Sequence, residues 1–85
     1  YYRRMHLYAA FLGGPAPDGR MGEHHEVVFV VAEDTTSARK AAQKKWGGDG
    51  RAHVDAVTRL DRIDGYAISL SASGQGDATA MEGYN

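Results

Sequence analysis

Two histidines and two carboxylates are the residues of this chain best suited to chemistry, and they fall in two short runs. In "EHHE" (Glu23 to Glu26), His25 and Glu26 stand at the entrance to an apolar run; in "HVD", His53 and Asp55 stand two apart. A two-residue spacing on a strand puts both side chains on one face. Two imidazoles and a carboxylate suit zinc or another transition metal. The same set could work as a general acid/base pair, because histidine titrates near neutrality. There is no compact ligand motif such as HExxH, so no metal site is assigned, and His25, His53 and Asp55 stand as metal candidates only. The competing reading ranks first: His25 and His53 hydrogen-bond backbone at strand ends or orient a carboxylate. His24 is expected to face solvent.

The second candidate is the loop "LGGPAPDGRMGE". Gly13 and Gly14 could expose backbone N–H groups to an anion, with Arg20 as a countercharge. The spacing is neither GxGxxG nor a Walker loop, so a plain connection is the stronger reading. Its length still suits a lid or binding loop. Arg39, Lys40, Lys44 and Lys45 make a basic stripe that could touch phosphates. A net charge of -1 and a pI near 6.4 argue against a nucleic-acid binder, and a solvated helix face is the default. Ser37, Ser69, Ser71 and Ser73 sit in no elbow-like turn, so no nucleophile stands out. No cofactor is implied.

These residues need elements to hold them. Eighty-five residues make one domain, and with no cysteine neither a disulfide nor a Cys-based zinc site can help it. His6 to Leu12 reads as a strand that is apolar on both faces and so covered on both, ended by Gly13-Gly14. Glu26 to Ala32 is a second strand, again apolar on both faces. Asp34, Thr35 or Thr36 caps a helix whose Ala38, Ala41, Ala42 and Trp46 form one narrow apolar face, stopped by "GGDG". His53 to Asp61 alternates, with Val54, Ala56, Thr58 and Leu60 on one face. After the turn "RIDG", Tyr66, Ile68 and Leu70 complete a hairpin with one buried face. Tyr8, Trp46 and Tyr66 read as core or interface residues.

The order is ββαββ: an α+β fold, a small mainly antiparallel sheet with one helix packed on one face. A right-handed crossover makes strands two and three run in the same direction, with spatial order 2-1-3-4. His25 and His53 then fall at the same end of the sheet. Strand two becomes an apolar edge, a liability whose simplest remedy is a second copy, so a homodimer is expected.

No apolar stretch approaches the roughly 18 residues of a membrane helix, and no secretory pattern precedes the first strand. The expected location is the cytoplasm, with no membrane partner. Met5 directly precedes the first strand, so Tyr1 to Arg4 are expected to be a non-native or disordered start. The domain is expected over 5–72 and a flexible tail over 73–85.

"FLGG" with a proline soon after, "EHHEVVFVVAE", a helix ending at "W", "HVD" and "DGY" occur in that order. From about Met5 to Leu70 this set resembles a small bacterial family of unknown function, domain of unknown function 1543. His24 departs from the pattern, where an apolar residue is more usual. The resemblance implies the fold and brings no activity. Some members carry two copies of the domain in one chain, which the resemblance suggests is equivalent to a dimer.

The functional expectation is therefore a non-catalytic, dimeric binding or interaction module with an unidentified protein or small-molecule partner. Its ligand end would lie near His25 and His53, rimmed by the loop from Gly13 to Gly22. The rival is a metal-assisted or His-based enzyme using His25, His53, Asp55 and Glu26. Weak nucleic-acid binding through the helix is the third reading.

Overall fold

A computed structural model describes residues 4–19, 21–74 and 76. Residues 1–3 and 77–85, on which the readings of start and tail mainly rest, lie outside the described residues, as does Arg20.

The first strand, β1 (His6–Pro15), runs straight through Gly13 and Gly14 instead of ending there. Glycine weakens a strand because it loses more backbone freedom than other residues. Here the strand is central and hydrogen-bonded on both sides, and two ladders hold what one would not. On one side lies β2 (Glu23–Ala32), antiparallel in unbroken register from His6↔Ala32 to Pro15↔Glu23. On the other lies β3 (His53–Arg59), also antiparallel to β1. The sheet order is β2-β1-β3, so β2 and β3 share a direction, as the crossover reading requires.

Between them α1 (Thr35–Lys44) covers one face of the sheet. Asp34 is its N-cap, and its carboxylate accepts the Ser37 N–H at 2.8 Å. Ala38 and Ala42 are completely buried against Tyr8, Ala10 and Leu12 of β1 and Val30 and Ala32 of β2. Short side chains on the helix let it approach the sheet closely. Trp46 lies two residues beyond the helix, partly buried against this core.

Hydrogen bonds from the Ser37 backbone and side chain, with Lys40 adding a smaller attraction, hold the Asp34 carboxyl below its ordinary 3.8. A depressed folded-state value means a contribution that is present above 3.8 and lost as pH falls through the depressed value. Asp34→Ala should therefore lower the melting temperature at neutral pH. The gap to the parent should close in strongly acidic buffer; thermal melts at the two pH values read this directly.

Two expectations need correction. β1 is covered by the helix on one face only, and its other face is open: Phe11 beside Val27, Phe29 and Val31 of β2 are all partly exposed. The last two segments also do not add a fourth strand. Arg62–Ile63 (β4) and Tyr66–Ala67 (β5) form their own two-stranded hairpin, exposed throughout. Asp64 and Gly65 at its tip have φ of 53° and 84°, the paired positive values of a type I′ turn that a two-residue hairpin favours. The Ile68 N–H returns to the Asp61 carbonyl and closes the arm at its base. The "DG" signal fixed a tight hairpin too short to reach back along β3.

Among the described residues, no helix is long and apolar enough to cross a membrane.

Candidate functional site

Gly13 is the floor of the site. It pairs with His25 on β2 and His53 on β3, so the three residues lie abreast across the sheet. Directly opposed residues of neighbouring strands share a face, here the face away from α1. Asp55 joins them through a bulge. The β1–β3 register shifts between Phe11↔Ala56 and Leu12↔Val54, leaving Asp55 as the extra residue. The same shift returns Val57 to the helix side with Val54, both packed on the core. Plain alternation had put Val57 on the opposite face, with His53.

The convergence is tight. A Cβ on Gly13 would stand 3.1 Å from His53 Nε2, 3.2 Å from Asp55 Oδ2 and 3.2 Å from His25 Nδ1. Gly13 does not have the positive φ that would itself call for glycine, so its bare Cα makes room for these three groups. His53 Nε2 also lies 3.5 Å from Asp55 Oδ1 and 3.9 Å from Glu23 Oε1. Glu23 was missed as a site residue; its signal was the two-residue spacing to His25, the argument already applied to His53 and Asp55. The side chains are open to solvent, His53 at 61% and Asp55 at 48%. As they are placed, no three or more His, Asp or Glu side chains among the described residues are arranged to hold a metal ion.

Glu26 is not part of this group. Strand alternation sends it to the helix face, where Oε1 accepts the Gly47 N–H at 3.0 Å and Oε2 lies 3.0 Å from His24 Nε2. The His24 ring packs on Trp46, centroids 5.6 Å apart and tilted by 57°. His24 is thus half-buried rather than solvent-facing, and the Glu26–His24–Trp46 group ties β2 to the segment after α1. "EHHE" divides by alternation into an open pair, Glu23 and His25, and a structural pair, His24 and Glu26.

Several of the loop and helix residues make structural contacts. Gly13 and Gly14 sit in the ladder, and Gly14 lies beneath Trp46, where a Cβ would be 3.0 Å from Cζ2. The Gly19 N–H donates to the Asp49 carboxylate at 3.2 Å. Two of the basic helix-side groups reach sheet backbone: Lys45 Nζ donates to the Phe29 carbonyl at 2.7 Å, and Arg39 Nη1 to the Val54 carbonyl at 3.5 Å.

No curated protein and no solved structure matches the chain. A family model described as Domain of Unknown Function (DUF1543) matches residues 20–70, a span that takes in β2, α1, β3 and the terminal hairpin. That is more than half of the chain, and the chain belongs to this family.

Proposed function

We propose that this domain is a non-catalytic binding module that works as a dimer of its own chain, the second copy lying on the open face of the sheet. The observation that carries this is the row of large apolar side chains there: Phe11 is 42% exposed, Val27 54%, Phe29 55% and Val31 47%. Together they expose roughly 350 Å² of apolar surface, in the range of the largest patch on a typical monomer, which is often functional. The middle of the face is uncharged, so it can meet an identical face across a two-fold axis without opposing like charges. Face-to-face packing fits better than pairing along the β2 edge, because Lys45 already takes the outward Phe29 carbonyl. A chain of this size buries a smaller share of its surface than larger domains do, so further burial stabilises it.

Phe29→Glu is the test. Its side chain points away from the core, and the Lys45 contact uses only its backbone. The parent should run at twice the chain mass at about 100 μM, and the variant as a folded monomer, since loss of a central aromatic anchor costs about 2 kcal/mol or more. A parent that stays monomeric at that concentration removes this reading and turns attention to a different protein as the occupant.

A further inference from the structure

We infer that the group over Gly13 binds a divalent transition-metal ion of the zinc type through His25, His53 and Asp55, with Glu23 as the fourth ligand. The inference concerns the other end of the open face and holds whether or not two copies associate. The donor chemistry comes first. Neutral imidazole nitrogen and carboxylate oxygen are the ligands such ions take in the absence of cysteine. They arrive from both outer strands onto one end of the central strand: the ladder pairs Glu23, His25 and His53 directly, and the bulge on β3 presents Asp55 beside them. The two carboxylates flanking His53 make the spot attractive to a cation.

The spacing comes second. With metal–ligand bonds of about 2.0–2.1 Å, the ligand atoms of a tetrahedron lie about 3.3–3.4 Å from one another. His53 Nε2 is 3.5 Å from Asp55 Oδ1, close to that edge length, and 3.9 Å from Glu23 Oε1, about half an ångström beyond it. His25 Nδ1, His53 Nε2 and the other Asp55 oxygen, Oδ2, each lie 3.1 to 3.2 Å from the point where a Gly13 Cβ would stand. The side chains do not now surround a bonding position. Closing on an ion requires side-chain rotations of about an ångström, which solvent-exposed groups make in nanoseconds or less. Glycine at 13 is what permits it: any Cβ there would stand among the ligand atoms.

The experiment is a calorimetric titration of chelator-treated protein with Zn²⁺, repeated with Co²⁺ while visible absorption is recorded. One ion per chain should bind with micromolar affinity, and Co²⁺ should show the intense d–d bands of a four-coordinate site. His25→Ala and His53→Ala should each weaken binding by at least the 10- to 100-fold or so that loss of a mere supporting partner costs. Asp55→Asn, which keeps shape, should act in the same direction, and Gly13→Ala should block the site. Melting curves in chelator identify any variant that has lost its fold. His24→Ala should bind like the parent, because His24 lies on the other face with Glu26. Absence of saturable binding at 100 μM metal, undiminished binding in folded His25→Ala, or loss of binding in His24→Ala would each overturn the assignment. A dimer that binds no metal would remove this inference and leave the proposed function standing; a metal-binding monomer would do the reverse.

Discussion

Leu12→Ala is expected to remove about 3–5 kcal/mol of stability, the upper part of the range for deleting a buried leucine. Set against the roughly 5–15 kcal/mol typical of folded domains, this small domain would be left close to its folding threshold. Leu12 is 1% exposed and is the largest side chain buried to that degree, while its packing partners include Ala10, Ala38 and Ala42, all at 0%. The helix side of this core is Ala38 and Ala42, which hold helix and sheet close together and are too short to swing into a vacated space. The cavity would therefore persist, and persisting cavities carry the larger cost. Urea denaturation reads the change as a shift of midpoint with the slope retained. Phe11→Ala is the internal comparison, run dilute enough to keep single chains: one residue away on the open face, it should cost less than half as much. Equal losses would mean that the two faces of β1 have been assigned the wrong way round.

That alternation was readable from the sequence over most of the fold. Val28 and Val30 against Val27, Phe29 and Val31, the Asp34 cap and the narrow alanine face of α1 are local signals, and each points to the arrangement found. Three features were not local. Covering of both faces of β1 was inferred from its apolar residues, but apolarity shows that a face prefers cover, not that this chain supplies it. Strand continuation through Gly13-Gly14 depends on β1 being central, which only the assembled sheet decides. The bulge at Asp55 adds one residue, and one residue reverses every later face assignment on β3. The pattern on that strand was too mixed to reveal the slip: Ala56 and Thr58 suit either side. For the site, His53 and Asp55 were placed together by spacing, and His25 by strand direction. Glu26 was grouped with them by nearness in sequence, although Glu23, two residues before His25, has the right parity. Adjacent residues on a strand point apart, and that rule, applied to "EHHE", separates the structural pair from the exposed one.

Gly48→Ala should prove nearly as damaging as the loss of Leu12, at about 2–3 kcal/mol, near the top of the usual range for overpacking. The methyl group would run into the Trp46 ring and stand 2.6 Å from the Pro15 carbonyl oxygen. Neither neighbour can move aside cheaply. The Trp46 indole N–H donates to the Asp49 carbonyl at 3.1 Å, its ring covers Gly14, and His24 packs against it. Pro15 is the last residue of β1, held in register with Glu23. Gly47→Ala next door would press mainly on the end of the Glu26 side chain, straining its contacts with the Gly47 N–H and His24 but meeting no backbone, and should cost less. A double mutant separates the two obstacles: Trp46→Leu should rescue part of the Gly48→Ala loss, since it frees the ring side of the clash and leaves the Pro15 backbone in place. Full rescue would assign the whole effect to the indole, and none would assign it to the backbone. The consequence extends to the open face, because Gly48 lies in the segment that leads from α1 through the buried Ala52 into His53. A folded Gly48→Ala protein should therefore show displaced His53 ring resonances by NMR while those of His6, at the far end of β1, stay where they were.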